Sequence, residues 1–522
     1  MDAKKIYAEA LKQYNAKNYD AALKFLGDVE KFAPNFKDAY YLEYRIHNAT
    51  GNFVKECSAL EKLLPLLDFT SPAEKEFAAE VLINMADACG QLGLSAEAVE
   101  FCLSAEKITD NVQKKYNVIN AAIFHMNYLE NRSPENFHAL YDVNKKFFAS
   151  IEPYTKKFYN HKKIRVGFLS TDFYFHPVIN WSWSLLTRLD KNFFQTYFYS
   201  AVQKSDVVTD YLRSTADGWR DIFSLTDEAV AKLIRADEID ILFEMNGHAG
   251  YNRLRVAAYR PASVQMSGIG YMNSTGLDCI DYFLSDVYCA GDEKFFTEKI
   301  IKLPHSHICY EPPIYFEPAN APPCLKNNFV TFGCFNNFCK VKDSILIAWK
   351  KILDAVPNSR LILKNVIFNT DDGKNFVGEC LKNFGFDLAR IDMRPFSANH
   401  LAEYADVDIA LDTFPYTGGV TTCEALYMGV PVVSLYGSRH GPRFGLSILK
   451  NVGLDELAVA SYDDYIKRTI ELANDWELLA ILRKNLRTMM KKSPLMNSEN
   501  YLREIQSAFI KILDDEEKKF PL

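Results

Sequence analysis

The side chains best arranged for chemistry lie between residues 412 and 434. Asp412-Thr-Phe-Pro-Tyr-Thr-Gly-Gly-Val-Thr-Thr-Cys-Glu424 runs on into Ala-Leu-Tyr-Met-Gly-Val-Pro-Val-Val-Ser434. Residues 406–411 before it read as a buried strand, 416–419 as a glycine-bearing turn, 421–428 as a helix and 431–434 as the next strand. A strand, a Gly-rich turn, a helix and a strand form the unit that holds phosphate groups at a helix N-terminus. Gly418 and Gly419 let the backbone come close to a ligand. Thr421 and Thr422 offer hydroxyls, and the N–H groups of the first turn have no partner within the helix. Glu424, one turn in, puts a carboxylate where ribose hydroxyls could donate to it. An ordinary αβ turn with capping residues explains the same side chains, and the glycine pair alone favours that plainer explanation.

The elements around this stretch recur along most of the chain. Residues 164–169, 194–200, 239–244, 263–266 and 281–284 read as short apolar strands, with a helix at 227–236 that Thr226 would cap. A proline-rich break from Glu311-Pro-Pro313 to Ala321-Pro-Pro323 reads as an interdomain linker. Beyond it, strands at 329–334 and 360–363 alternate with helices at 344–353 and 376–384, and helices at 463–474 and 498–517 close the chain. Such alternation gives parallel sheets covered on both faces. Two of them make a crevice at the carboxyl ends of their strands, where ligands bind. A pair of Rossmann-like domains with a nucleotide on the second is the GT-B layout of glycosyltransferases; dehydrogenases and periplasmic-type binding proteins share its general shape. The turn Leu169-Ser-Thr-Asp-Phe-Tyr-Phe-His-Pro177 lacks G-x-G-x-x-G, which counts against a dinucleotide cofactor. His248, after Asn246-Gly247, is expected at a strand end facing the crevice. His440, beside Arg439 and near Arg443, is expected near the phosphates. His305 and His307 flank an expected strand and have no assigned role. Asp406 and Asp408 form a D-x-D, but inside an expected strand, where sheet packing accounts for the alternation.

The chain up to about residue 120 is helical and repetitive. Lys17-Asn-Tyr-Asp-Ala-Ala22 leads into Leu23, Leu26, Val29 and Pro34, and Gly51-Asn-Phe53 restarts the pattern with Asn52 placed 34 residues after Asn18. That is the period and composition of tetratricopeptide helix pairs. Gly93-Leu-Ser-Ala-Glu-Ala98 is a third start. The repeats are degenerate: Glu56 stands where Ala is usual and Asp110 where Pro is. A plain helical bundle is the competing description. Helix pairs of this kind make grooves for peptides or subunits.

Composition narrows the class. At 522 residues the chain exceeds a single core. A net charge of -7 gives no footprint for nucleic acid or an anionic membrane surface. The 11 cysteines, odd in number and without a C-x-x-C, fit reduced buried thiols better than a disulfide framework or a zinc site. The opening Met-Asp-Ala-Lys-Lys leads into an amphipathic helix, which reads as no secretory leader, and no uncharged apolar run is long enough to span a bilayer. A cytoplasmic location is expected.

From about Arg165 onward the chain resembles the O-GlcNAc transferase family and is particularly similar to its SPINDLY branch. The motifs are Ser170-Thr-Asp-Phe-Tyr-Phe-His-Pro177, Gly218-Trp-Arg-Asp-Ile222, Asp240-Ile-Leu-Phe-Glu-Met-Asn-Gly-His248, Arg260-Pro-Ala-Ser-Val-Gln265, Gly270-Tyr-Met-Asn-Ser-Thr-Gly276, Phe332-Gly-Cys-Phe-Asn-Asn-Phe-Cys-Lys340 and the stretch from Asp412. The resemblance implies an α + α/β protein. A tetratricopeptide-like domain (1–120) and a helical junction (121–163) would precede a GT-B fold with an acceptor-side domain at 164–320 and a donor-side domain at 321–522. It implies an inverting transferase that moves a sugar from a nucleotide donor to Ser or Thr hydroxyls of a protein, with no metal and no cofactor. Lys340 then takes the place of the family's diphosphate-binding lysine, with Asn337 beside it, and His400 that of the histidine packing on the base. His176, four residues after Asp172, matches the motif histidine that serves as base or sugar-positioning group. His248, Gly270 and Met272 fall at the sugar or acceptor pocket. Val420, Glu403 and Met272 depart from the O-GlcNAc transferases proper, which have His, Arg and Pro there. SPINDLY-type plant enzymes use GDP-fucose and the animal enzymes UDP-GlcNAc. UDP-GlcNAc is the favoured donor here, with GDP-fucose or an N-linking UDP-glucose enzyme as alternatives. A non-catalytic binder is disfavoured because Lys340 and His176 are retained. The short repeat region points to a narrow client set, such as a flagellin or another abundant protein.

Overall fold

The computed structural model describes residues 2–312 and 316–519. Pro313, Ile314 and Tyr315 of the expected linker lie outside the described residues. The chain divides into two bodies. One holds the residues up to Leu129 with Phe335–Lys350 and Leu361–Ala398; the other holds Glu130–Cys334, Lys351–Arg360 and Asn399 onward. The divide does not follow the expected domain limits, and helix Val112–Met126 runs across the one placed at residue 120.

In the first body, helices pair as hairpins: Ala3–Asn15 with Tyr19–Phe32, Lys37–Thr50 with Phe53–Leu63, and Pro72–Gln91 with Ser95–Ile108. The repeated Asn-aromatic pairs sit at the same place in two of them, with Asn18 and Asn52 at the N-cap of the second helix. Ala10 and Ala22 are fully buried between Ile6, Leu26, Val29, Leu42 and Ile46. Small residues at the crossing let the helices approach closely enough to bury the leucines, each worth about 1.5–3 kcal/mol. The irregular Glu56 is accommodated because Asn48 Nδ2 donates to its Oε1 at 3.0 Å, which supplies the partner that a buried carboxylate requires.

The second body is built on a parallel sheet of β1 Ile164–Ser170, β2 Phe194–Ser200, β3 Gly218–Asp221, β4 Ile241–Glu244, β5 Val264–Gly268, β6 Tyr282–Asp286 and β7 Lys299–Leu303, in the order β3-β2-β1-β4-β5-β6-β7. β4, β5 and β6 are buried at every position, as sheets covered on both faces must be. The order reverses between β1 and β4, and their carboxyl ends form the switch point where ligands bind in such sheets. β8 Thr331–Cys334 belongs to this body too. β9 Arg360–Lys364 and β10 Ile391–Arg394 pair in parallel, Leu361 with Ile391 to Lys364 with Arg394, in the first body. β11 Ile409–Leu411, β12 Val432–Leu435 and β13 Ala458–Val459 continue from β8 in the parallel order β8-β11-β12-β13.

Several expectations are corrected. Helix Trp476–Lys492 had not been recognised, although Asp475 caps it and Leu479, Leu482, Leu486 and Met490 line its buried face. Arg483 and Arg487 interrupt that stripe; both are buried and donate to backbone carbonyls, among them those of Tyr404, Val407 and Tyr427. The final helix, Ser498–Glu517, lies on the first sheet rather than with the donor-side strands. Phe509 packs on Phe194 and Phe243, and Glu516 accepts from Tyr282 Oη and Lys156 Nζ. His305 and His307 follow β7 on irregular backbone instead of flanking a strand.

Candidate active site

The turn after β11 is held by one buried carboxylate. Asp412 Oδ1 accepts from the backbone N–H groups of Thr413 at 2.8 Å and Gly418 at 2.6 Å, and its Oδ2 accepts from Ser434 Oγ on β12 at 2.6 Å. Neither glycine tolerates a side chain. A Cβ on Gly418 would stand 2.5 Å from Thr422 Oγ1, and one on Gly419 2.4 Å from the ring of buried Trp181. Gly419 is the N-cap of helix Val420–Tyr427, one residue earlier than expected. Thr421 and Thr422 therefore lie in the first turn, where N–H groups lack intrahelical acceptors and the helix dipole favours an anion. His400 Nε2 meets Glu424 Oε1 at 3.1 Å, and Tyr404 Oη donates to the Thr421 carbonyl. His400, Thr421, Thr422 and Glu424 thus come together around one helical turn. Asp412 was the residue whose role sequence reasoning missed; the signal was an Asp ending a strand six residues before the second-last turn position.

The loop after β1 carries the second group. Thr171 N and Asn246 pin the loop to the turn after β4: Thr171 N donates to Asn246 Oδ1, and Asn246 Nδ2 donates to Asp172 Oδ2, both at 2.8 Å. Asn246 is held in turn by Glu244, whose carboxylate accepts from the backbone N–H groups of Asn246 and Gly247 and from Ser267 Oγ. Burial pushes the Glu244 carboxyl up to about 7, opposed by those N–H donors. His176 Nδ1 lies 3.9 Å from Asp172 Oδ2, which is ion-pair range but too long for a hydrogen bond. The same nitrogen accepts weakly from Val178 N–H at 3.4 Å. With Nδ1 accepting, the neutral ring carries its proton on Nε2 and can donate; if Nδ1–H turns to Asp172, Nε2 is free to accept a proton. Burial lowers the pKa of His176 below the usual histidine value, with Asp172 pulling the other way. Asn246 and Glu244 position Asp172 and had been quoted only as part of a motif.

The remaining candidates lie on other segments. Asn337 and Lys340 belong to the first body, Lys340 on the single turn Phe338–Lys340 and Asn337 at its N-cap. Asn337 Oδ1 accepts from Cys339 N and from Asn365 Nδ2. Gly270 sits against the Met245 carbonyl, which a Cβ would strike, and Met272 is buried beside Gly441. His248 does not face a crevice. It is 1% exposed, stacks on Tyr141 with rings 12° apart, and its Nε2 meets the Thr275 carbonyl at 2.8 Å. Burial drives its pKa down to about 4, so it is a neutral core histidine. His440 is likewise fully buried, between Phe283, Phe296, Phe444 and His307. The D-x-D is structural: Asp408 accepts from the N–H groups of Cys324 and Thr331.

The family model for glycosyl transferase family 41 matches residues 137–312 and 320–505. A SPINDLY protein of Solanum lycopersicum, described as a probable UDP-N-acetylglucosamine–peptide N-acetylglucosaminyltransferase, is 37% identical over 399 residues, 74% of this chain and 43% of its own length. The protein SEC of Arabidopsis thaliana, described in the same words, is 25% identical over 375 residues, 67% of this chain and 37% of its own. The chain thus spans about two-fifths of the length of these curated relatives. Among solved structures, an O-GlcNAc transferase of Thermobaculum terrenum, in a form with one lysine changed to methionine, superposes with a TM-score of 0.83 at 27% identity, covering 99% of this chain and 98% of the other. Among the described residues no helix is long and apolar enough to cross a membrane. With both sheets inside the matched stretches, the chain belongs to glycosyl transferase family 41.

Proposed function

We propose that this glycosyltransferase is a protein O-glycosyltransferase that moves GlcNAc from UDP-GlcNAc to Ser or Thr hydroxyls, with inversion and without a metal. The observation that carries the reading is the Asp412-held glycine turn opening onto helix Val420–Tyr427, with His400 on Glu424 beside its first turn. In the reaction the acceptor oxygen attacks the anomeric carbon as the bond to the diphosphate breaks, and negative charge grows on the leaving phosphate. Such charge is best met by preorganised N–H groups and cations. The first-turn N–H groups after Gly419 are assigned that task, and by the family resemblance Lys340, with Asn337 supporting, is the expected cation. His400 and Glu424 are assigned to the base and ribose. His176 with Asp172 is assigned to the acceptor side, where the neutral ring either takes the hydroxyl proton or donates to the sugar. The helical hairpins are assigned to binding the protein acceptor, a flagellin or another abundant protein, in the cytoplasm.

A second reading, transfer of fucose from GDP-fucose, is favoured by Val420, Glu403 and Met272, which depart from the O-GlcNAc transferases proper, and by the higher identity to SPINDLY than to SEC. The two are separated by thermal unfolding in the presence of UDP, GDP and their sugar conjugates, since a ligand of the folded state raises the midpoint. Stabilisation by UDP that is lost in Lys340→Ala supports the first reading. Stabilisation by GDP alone replaces it with the second. No response to any nucleotide overturns both.

A further inference from the structure

We infer that the second body contains a buried metal site for a zinc-type divalent ion, formed by Cys289, His307 and His440. One ligand atom from each lies within 4.8 Å of the others, and all three residues are buried. Cys289 follows β6, His307 follows β7 and His440 lies on the loop after β12, so three separate segments converge on one point.

Two further observations point to a ligand. The first is His440. Its ring is fully buried, yet neither Nδ1 nor Nε2 makes a hydrogen bond of acceptable geometry, the Met272 backbone standing near the ring without one. A buried imidazole without a well-formed hydrogen bond carries a desolvation cost, which a metal ion offsets. The second is the support behind His307. Its Nδ1 meets Asp286 Oδ2 at 2.5 Å, and Ser447 Oγ donates to the same oxygen. That leaves Nε2 as the ligand atom, in the carboxylate–histidine–metal arrangement that fixes the ring and raises its basicity.

Thiolate and imidazole together select zinc-like ions over magnesium or calcium. A divalent cation there meets one thiolate and the buried Asp286 carboxylate, while Arg443, held on the Tyr288 and Gly437 carbonyls, adds one positive charge nearby. Metal–sulfur and metal–nitrogen bonds of about 2.3 and 2.0 Å require the three groups to draw together by roughly 1 Å, a rotamer-scale adjustment. Three protein ligands leave one coordination position. The residues are 18 and 133 positions apart in sequence, which is why no cysteine or histidine spacing announced the site. The ion binds among core side chains and takes no part in sugar transfer.

The test uses the full chain. Elemental analysis of protein purified without added metal or chelator is compared with cobalt(II) titration after chelator treatment. The expected result is one metal per chain, or uptake of one cobalt with thiolate-to-cobalt charge-transfer absorption and the ligand-field bands of tetrahedral cobalt, bleached by zinc. The charge-transfer band disappears in Cys289→Ser, the ligand-field bands weaken in His440→Gln, and both persist in Cys102→Ser, a buried thiol of the helical body. Folding of each variant is checked by circular dichroism, and the native-protein spectrum stands without any variant. A metal-free protein that takes up no cobalt overturns the site, as does cobalt bound without the thiolate band or with a band that survives Cys289→Ser.

Discussion

The turn after β11 and the loop after β1 are two solutions to the same task, presenting polar groups from the carboxyl end of a parallel strand, and they differ in rigidity. In the first, the turn is anchored through Asp412. Asp412 is 1% exposed and takes three donors, and the glycines are wedged against Thr422 and Trp181. In the second, Asp172 is anchored through Asn246, but the His176 side chain is 32% exposed and stands 3.9 Å from its carboxylate, next to an exposed Phe175. The first region is built before any ligand arrives. The second is half built: its last contact, His176 to Asp172, is longer than a hydrogen bond. Catalytic hydrogen bonds in free enzymes are commonly long in this way. The difference suits the roles proposed above, because a leaving diphosphate is best met by fixed dipoles and a proton-transferring side chain by freedom to change partners.

The contrast can be broken by separating activity from stability. His176→Ala should lower kcat by about 10²–10⁴-fold while the unfolding free energy changes by no more than about 0.5 kcal/mol; a large stability loss would make it a packing residue instead. Asp412→Ala strands three donors at a buried site, so it should cost about 2–3 kcal/mol in denaturant unfolding and also abolish stabilisation by nucleotide. Gly419→Ala forces a Cβ into Trp181 and should cost about 1–3 kcal/mol, with the nucleotide-dependent rise in midpoint lost; a variant that still responds fully to nucleotide would show that the turn is not the phosphate site. The smallest effect is in the pH profile. The pKa of His176 lies below the ordinary histidine value, so a base at this position is already neutral at pH 7. Between pH 7 and 8 kcat/KM should then change by less than about twofold, falling only on acidification below about pH 6.5. Asp172→Asn, which removes the charge that raises the pKa, should move that acid limb to still lower pH. A limb that moves upward would mean that Asp172 does not act on this ring.

Much of the architecture was legible. Helix Asp227–Ala236 with Thr226 capping Ala229 N, strand Phe194–Ser200 and the final helix Ser498–Glu517 stand where the sequence placed them, because caps and apolar period act over a few residues. The helix around Arg483 and Arg487 escaped notice because arginine on a buried face reads as an exposed position until the carbonyls that receive it are known. His248 misled for the opposite reason. Its position after a strand is right, but Tyr141, more than a hundred residues earlier, covers it.

By itself the sequence determined the repeat spacing of the helical hairpins, the parallel strands and the glycine turn that meets a helix N-terminus, all consequences of local backbone sterics and hydrophobic period. Only the tertiary structure decided that His400 reaches Glu424, that Asn246 holds Asp172, that the final helix lies on the first sheet, and that Cys289, His307 and His440 meet. These pairings depend on strand order and on which faces are buried together. Strand order is set by the packing of the whole body, and no window of neighbouring residues contains it.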